Sequence, residues 1–355
     1  IAASRVVWIG FGLGLRERVW RPIFRRARGR RTTPDEVTVE QDSQRSSMWP
    51  PAAQGMYDPG NEHDACGLGF IAHIKGRKSH AIIRHGLSIL ENLTHRGATG
   101  ADSETGDGAG ILIQIPHAFL ERECAGLGLR LPEPGEYGVG AVFLPEDATN
   151  RARCERAIEQ VVGEERQHFL GWRDVPIHPE HIGETARNRL PRIRQFFVLR
   201  GSGIDGPTFE RKLFVIRKRV ELELRNENMR GFHVASLSSR TLVYKGMLLA
   251  YQVKKFYSDL ADPAIESGLA LVHQRYSTNT WPTWDLAHPY RYLAHNGEIN
   301  TVRGNHNWMR AREAIIRSGI WGEDIHKIMP IVTPDLSDSA MLDNALEFLV
   351  LSGRD

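Results

Sequence analysis

The most constraining feature of this 355-residue chain is a sharp change of character at Cys66. Residues 32–60 are polar and contain Pro, Gly and Ser, a composition typical of a disordered linker. Directly after Cys66, residues 67–74 are apolar and rich in β-prone types, which predicts a largely buried strand. We therefore expect a folded domain over residues 66–355 and an N-terminal extension over residues 1–65.

Cys66 itself admits two interpretations. A small buried cysteine at the start of a strand is the one that the local sequence favours, because free cysteine is common in cores. If the bond between Ala65 and Cys66 were cut, however, Cys66 would gain an α-amino group with an unperturbed pKa of about 7.7–8.0. Thiol and base would then share one residue, which is a complete unit for nucleophilic catalysis.

Charge and cysteine content exclude several classes of protein. The net charge is +3, but residues 1–31 carry nine arginines and one glutamate, so the folded part is mildly acidic and gives no general case for nucleic-acid binding. Cys66, Cys124 and Cys154 form no CxxC pair, and they are too few for a disulfide framework. We read Cys124 and Cys154 as core or surface thiols, and we expect a reducing compartment, the cytoplasm.

The basic N-terminus has more than one explanation. Its apolar run over residues 6–15 is too short to cross a bilayer, which needs about 20 apolar residues, so no membrane association is predicted. Arginine-rich, acid-poor termini can be transit peptides, which would place the protein in an organelle stroma or matrix. This terminus is poor in Ser, and Met48 and Met56 are alternative starts. We expect a translated upstream extension or a fragment end.

The periodicity after Cys66 alternates between strands and helices. Apolar residues recur at helical spacing over residues 79–95, and further helices are predicted at 148–166, 209–224 and 340–351. Strands are predicted at 111–115, 137–145, 193–199 and 269–272, with a hairpin or meander over 232–245. The glycine-rich segment 105–110 follows a helix and precedes a strand, the reverse of a nucleotide-binding loop, so we read it as a tight structural loop.

Residues 269–301 contain the densest set of chemical groups. Arg275 is predicted at a strand end, where its forked donors suit a substrate carboxylate. Asn296-Gly297, read as following another strand, offers a side-chain amide and an unhindered backbone N–H that could converge on an oxyanion. The alternative for this dipeptide is an ordinary β-turn.

Two further sets of polar residues lie in or near this region. Four histidines (His273, His288, His295 and His306) lack the spacing of zinc ligands, so we expect them to hydrogen-bond around the site rather than bind a metal. In Ser337-Asp338-Ser339, either of the first two residues could cap the last predicted helix. The functional alternative for Asp338 is a carboxylate aimed at a substrate ammonium group.

Taken together, these motifs resemble the class II glutamine amidotransferases, which are N-terminal-nucleophile hydrolases. The resemblance rests on Ala65-Cys66-Gly67, Arg275 within His-Gln-Arg-Tyr-Ser-Thr-Asn-Thr, His295-Asn296-Gly297-Glu298 and Ser337-Asp338-Ser339. Residues 64–70, 105–110, 277–282 and 294–301 are similar in detail to the glutamate synthases, in their large-subunit or single-chain form. The resemblance covers residues 57–355; the long basic front is not part of the family pattern.

The resemblance implies an α+β fold, the four-layer αββα sandwich. It implies that residues 1–65 contain a propeptide, that Cys66 attacks L-glutamine, and that Asn296 and Gly297 stabilise the oxyanion. Arg275 would hold the substrate α-carboxylate and Asp338 its α-ammonium group, with Tyr276 and Thr278 lining the pocket. Glutamate and ammonia would be the products.

The resemblance also implies partners outside this chain. A downstream synthase region with FMN and an iron–sulfur cluster would combine the ammonia with 2-oxoglutarate, with electrons from a small reductase subunit or ferredoxin. No cofactor is expected within this chain. Two alternatives stay open: another class II enzyme, of the phosphoribosyl or hexosamine type, and an unprocessed inactive module.

Overall fold

A computed structural model describes residues 53–56, 58, 66–275, 280–297, 299 and 301–354 of the chain. The chain divides into two units, Ile1–Ala65 and Cys66–Asp355. The strands and helices given below all belong to the second unit.

Eight strands are found among the described residues, and they form two four-stranded antiparallel sheets. The first sheet has the order β1-β8-β2-β7, and the second has the order β4-β5-β3-β6. The strands are β1 Leu68–Ala72, β2 Ala109–Gln114, β3 Tyr137–Leu144, β4 His168–Asp174, β5 Arg192–Leu199, β6 His233–Ser238, β7 Thr241–Gly246 and β8 Leu269–Gln274.

Five long α-helices and three shorter ones accompany the sheets in the described part of the chain. The long ones are α1 His80–Asn92, α3 Ala148–Glu164, α5 Gly206–Asn226, α7 Val302–Glu313 and α8 Asp338–Leu351. The shorter ones are α2 His117–Gly126, α4 Glu184–Arg187 and α6 Val253–Phe256. None of the helices in these described segments is both long and apolar enough to cross a membrane.

The side chains of β3 alternate between two hydrophobic cores, as the two-residue period of a strand requires. Val139 and Phe143 point into the core between the two sheets, where they meet apolar residues of β2 and β7. Val142 and Leu144 point the other way, into the core that α3 and α5 form with the outer face of the second sheet.

Helices accompany both sheets: α1 packs on β1 and β8 of the first sheet, and α3 and α5 pack on the second sheet. This is the αββα arrangement, so the α+β fold class predicted from the sequence is confirmed.

Antiparallel pairing of β1 with β8 brings two distant parts of the chain together. Leu68 pairs with His273, and the Gln274 N–H donates to the Gly67 carbonyl at 2.7 Å. A Cβ atom on Gly67 would lie 2.1 Å from the Gln274 carbonyl oxygen, so only glycine permits this approach. The start of β1 therefore lies beside the end of β8, which places Cys66 next to the residues that precede Arg275.

Candidate active site

The thiol of Cys66 faces two side chains from distant parts of the sequence. Its Sγ lies 3.8 Å from His273 Nε2 and 3.6 Å from Asn296 Oδ1, to which the S–H donates. The adjacent Gly67 N–H also donates to Asn296 Oδ1, at 3.3 Å. Cys66 is half-buried, so its thiol is packed against polar groups without being sealed from solvent. The sequence prediction that places Cys66 and Asn296 in one site matches this geometry.

The expected strand before Asn296 is not formed: residues 291–297 are irregular. Their conformation depends instead on partners outside the segment. The Tyr292 N–H donates to Asp343 Oδ1 at 2.8 Å, and the His295 N–H donates to His288 Nδ1 at 3.4 Å. Strand propensity was therefore a poor guide here, because side chains rather than a neighbouring strand satisfy the backbone.

Gly297 has a left-handed backbone and a close neighbour. Its φ is 108°, and a Cβ atom at this position would lie 2.6 Å from Asp338 Oδ1. The Gly297 N–H, predicted to donate to an oxyanion, donates here to His295 Nδ1 at 3.0 Å. That N–H must exchange one acceptor for another before it can stabilise a reacting oxygen.

Arg275 follows directly on β8, as predicted, and is almost completely buried, with 3% of its surface exposed. Its guanidinium donates to Thr280 Oγ1 at 2.6 Å and to the Asp107 carbonyl at 3.4 Å. The backbone N–H of Arg275 donates to the Gly108 carbonyl at 2.8 Å, so the glycine-rich loop also holds the main chain of this arginine. Among the described residues, no carboxylate forms an ion pair with Arg275, and burial lowers the pKa of its guanidinium.

Asp338 links the start of α8 to the loop that contains Gly297. Its Oδ2 accepts the Ile299 N–H at 2.8 Å, and its Oδ1 accepts the Ser339 N–H at 2.7 Å. The helix cap is the neighbouring residue: Ser337 Oγ accepts the Ala340 N–H at 3.3 Å. The capping role is therefore assigned to Ser337, and Asp338 lies against Gly297 with both oxygens in use.

Three of the four histidines predicted to hydrogen-bond around the site do so. His273 and His288 are both fully buried and stack with ring centroids 4.5 Å apart. Burial lowers the pKa of His273 to about 3 and that of His288 well below its usual value, so both rings are neutral at physiological pH. His288 Nε2 lies 3.2 Å from Ser339 Oγ, and His295 holds Gly297 as described.

The other predicted residues fall into two groups. Tyr276 and Thr278 lie outside the described residues, so their placement beside Arg275 stays a prediction. Cys124 and Cys154 are buried in separate cores, where burial raises the pKa of each thiol to about 11. Such thiols are protonated and shielded, which makes them poor nucleophiles.

Two of the cavities lined by described residues bear on where the site lies. One of about 160 Å³ lies between α7 and α8 and is lined by Asp338 and apolar side chains, including Ile299, Val302 and Met341. A larger one, of about 600 Å³, is lined by the C-terminal half of α5 and by nearby loops, and it contains none of the predicted site residues. We therefore place the site by its chemical groups and not by the larger cavity.

Sequence reasoning missed the contacts that support the site. Thr280 holds the Arg275 guanidinium, and Ser339 contacts His288, which stacks on His273. Thr280 and Ser339 do lie within quoted motifs, but nothing in their spacing indicates their partners. The only signal was their position beside Arg275 and Asp338.

Comparisons with known proteins identify the family of this chain. Residues 66–355 match the family model described as glutamine amidotransferases class-II. The chain is 52% identical over 305 residues to the glutamate synthase (NADPH) large chain of Bacillus subtilis, covering 86% of this chain and 20% of that protein.

Two other relatives, from a yeast and a plant, match over a similar share of this chain. The chain is 43% identical to the glutamate synthase (NADH) of Saccharomyces cerevisiae, covering 85% of this chain and 14% of that one. It is 39% identical to the ferredoxin-dependent glutamate synthase 1 of Arabidopsis thaliana, covering 89% of this chain and 20% of that protein. The chain thus spans about a fifth or less of the length of these relatives. With the family model matched from Cys66 onward over a fold and a thiol site of the expected kind, this chain belongs to the class II glutamine amidotransferases.

Proposed function

We propose that Cys66, once it is the first residue of the chain, hydrolyses the side-chain amide of L-glutamine. Its sulfur would form a bond to the amide carbon, and the C–N bond would then break and release ammonia. Water would attack the resulting thioester, giving glutamate and regenerating the thiol. The observation that carries this proposal is the position of the Cys66 thiol beside Asn296, in a domain whose family match begins at Cys66.

The base in this proposal is the α-amino group of Cys66. While Ala65 is attached, that nitrogen is an amide and cannot accept a proton. We therefore propose that residues 1–65 include a propeptide that is removed, leaving an amine with an unperturbed pKa of about 7.7–8.0. His273, whose Nε2 lies 3.8 Å from the thiol, does not compete for this role, because burial lowers its pKa to about 3 and leaves the neutral ring very weakly basic.

Arg275 is proposed to bind the α-carboxylate of glutamine. Burying a guanidinium without a counter-charge is costly, and the described residues give it only two uncharged oxygen acceptors in direct contact. A substrate carboxylate would supply the missing charge and accept both arms of the fork. Tyr276 and Thr278, which flank this position in the sequence, are proposed to line the same pocket.

Asp338 is proposed to bind the α-ammonium group. Each of its oxygens already accepts one backbone N–H, but an ionised carboxylate has about four acceptor positions, so it can receive further donors. Its contact with Gly297 would place the ammonium group close to the oxyanion donors. Asn296 and the Gly297 N–H are proposed to be those donors, with Gly297 leaving His295 as the tetrahedral intermediate forms.

The fate of the ammonia is proposed from the relatives. Because these are glutamate synthases, we propose that the ammonia is combined with 2-oxoglutarate to make glutamate in a downstream synthase region. FMN and an iron–sulfur cluster would belong to that region, with a small reductase subunit or ferredoxin as electron donor. The residues described here do not fit a cluster, because their three cysteines lie apart and no metal-binding group is found among them. A reducing location, the cytoplasm or an organelle stroma or matrix, is part of this proposal.

Covalent labelling with a glutamine-analogue electrophile tests the nucleophile. We expect stoichiometric labelling of Cys66, prevented by glutamine, when the protein begins at Cys66. Cys124 and Cys154 serve as internal controls because both are buried with raised pKa values. Glutamine-protected labelling of either control, read by peptide mass spectrometry, would contradict the assignment.

A further inference from the structure

A second region of the domain holds charged and polar groups that the proposed function does not use. It is the cavity of about 600 Å³ beside the C-terminal half of α5. Its volume lies within the range of small-molecule sites, about 300–1,000 Å³. Its described lining combines apolar side chains with more cations than carboxylates. The cations are Lys218, Arg225, Arg230 and Arg291, and the carboxylates are Glu221 and Asp285.

Lys218 is a buried cation in contact with uncharged groups. It is 5% exposed, and its Nζ donates to the Ile331 carbonyl at 3.1 Å and to Thr333 Oγ1 at 3.3 Å. No carboxylate in the described part of the chain forms an ion pair with it, since Glu221, three residues further along α5, pairs with Arg217 at 2.8 Å. An ammonium group has three N–H donors, so one is left for a ligand.

The charge on Lys218 is present at physiological pH. Burial lowers its pKa to about 8, which still leaves the amine mostly protonated at pH 7. A buried charge is costly unless an opposite charge is brought against it. An anion in the cavity would supply that opposite charge.

Asn344 adds a second buried donor to the lining of the same cavity. It is 3% exposed, and its Oδ1 accepts the Thr333 N–H at 3.0 Å. Because a backbone N–H can only donate, this bond fixes which end of the amide is the oxygen. Nδ2 is then left as a donor with no acceptor among the described residues. Thr333 contacts both Lys218 and Asn344, so the two donors lie close to one another.

The remaining charges of the lining leave a positive surplus. Arg291 is committed to Asp343 and Glu347, at 2.9 and 3.0 Å. Arg230 is exposed and forms no ion pair within the described segments. Against Lys218 and Arg230 stands one lining carboxylate without an ion pair in those segments, Asp285.

We propose that this cavity binds a small organic anion, a carboxylate or a phosphate monoester with an apolar body. The acidic group of the ligand would accept hydrogen bonds from Lys218 Nζ and Asn344 Nδ2, and Arg230 would add to the attraction. The inference does not depend on the proposed hydrolysis of glutamine. The body of the ligand would lie against the apolar side chains of the lining, which include Leu222, Met229, Phe232, Met329 and Leu336.

Matched probes separate charge from shape. Phenylacetate and phenylacetamide have the same ring and nearly the same size, but only phenylacetate is charged. In calorimetric titrations of the full-length protein, phenylacetate should bind at least about tenfold more tightly than phenylacetamide. Phenyl phosphate shows whether a phosphate is preferred to a carboxylate, and binding of either anion agrees with the proposal. Equal affinity for phenylacetate and phenylacetamide, or no binding of either anion, would overturn it.

A substitution assigns the binding to this cavity. Lys218→Met removes the charge and should weaken phenylacetate binding by about 10- to 150-fold, with the affinity for phenylacetamide changed by less than about threefold. Lys255→Met is the matched control, because that lysine is exposed on α6 and does not line the cavity. Unchanged phenylacetate affinity in Lys218→Met would overturn the proposal, even if the protein binds phenylacetate.

A second variant keeps the test decisive if thermal unfolding shows that Lys218→Met does not fold. Asn344→Asp has nearly the same shape and keeps the acceptor for the Thr333 N–H, but it replaces the Nδ2 donor with a carboxylate oxygen. That oxygen would repel an anion, so phenylacetate should bind at least about tenfold more weakly. Undiminished binding would contradict the proposal. If another part of the full-length protein fills the cavity, no probe binds there and the proposal fails.

Discussion

Replacing Arg275 with lysine should weaken glutamine binding far more than conservation of charge would suggest. Lysine presents a single point charge, so it cannot offer the two parallel donors with which arginine grips a carboxylate. Losing one charge-assisted hydrogen bond costs about 1.5–3 kcal/mol. Since about 1.4 kcal/mol corresponds to a factor of ten, KM for glutamine should rise by about 10- to 150-fold.

Burial adds a pH dependence to this effect. Two buried lysines of this protein show what the interior does to an ammonium group: burial lowers the pKa of Lys218 to about 8 and that of Lys245 to about 7. A lysine in place of Arg275, which is only 3% exposed, should behave similarly. Because a lowered pKa means that charge is lost as pH rises through it, the ratio of variant to unsubstituted KM should increase from pH 6.5 to pH 8.5.

The assay is ammonia release against glutamine concentration at both pH values, on protein that begins at Cys66. Arg192→Lys is the matched control, because that arginine is half-exposed and pairs with Asp174 on the other sheet. We expect the control to leave KM and kcat unchanged. An Arg275→Lys protein with unchanged KM at both pH values would refute the role assigned to this arginine.

Three other substitutions separate substrate binding, helix capping and oxyanion stabilisation. Asp338→Asn should raise KM for glutamine, whereas Ser337→Ala should lower the free energy of unfolding by about 1 kcal/mol with little change in KM. Thermal unfolding and kinetic measurements on both variants check this expectation. If Ser337→Ala raised KM and Asp338→Asn only lowered stability, the two roles would have to be exchanged. Gly297→Ala should lower kcat by at least about a hundredfold, because the new Cβ would lie 2.6 Å from Asp338 Oδ1 at a φ of 108° and displace the N–H. Gly126→Ala is the control for Gly297→Ala, because no atom lies within 4 Å of the Cβ added at Gly126 and φ there is not positive. A Gly297→Ala protein as active as this control would contradict the role of the Gly297 N–H as an oxyanion donor.

Most of the fold could be predicted from local patterns. Predicted helix 79–95 appears as His80–Asn92 and predicted strand 137–145 as Tyr137–Leu144, because each buries a regular apolar face. Among the elements that were not predicted, two were missed for the opposite reason. Strand His168–Asp174 is mostly half-exposed, and helix Val302–Glu313 has no buried residue, so neither shows a clear apolar period.

The candidate site, too, could be predicted only in part from the sequence. Cys66, Arg275, Asn296 and Asp338 could be selected because their chemistry and motifs are recognisable in sequence. Their supporting contacts could not, because these join residues far apart in the chain: Ser339 and His288 are separated by 51 positions, and His273 and Cys66 by 207. Only the pairing of strands and the packing of helix α8 create such contacts.

The most direct test of the account concerns the α-amino group of Cys66. Two proteins should be compared, one that begins at Cys66 and one in which the Ala65–Cys66 bond is made uncleavable, with both N-termini verified by mass. Because an amide nitrogen cannot act as the general base, the uncut protein should release ammonia from glutamine about 10²- to 10⁴-fold more slowly. Equal rates from the two proteins would remove the α-amine from the mechanism and contradict the central claim.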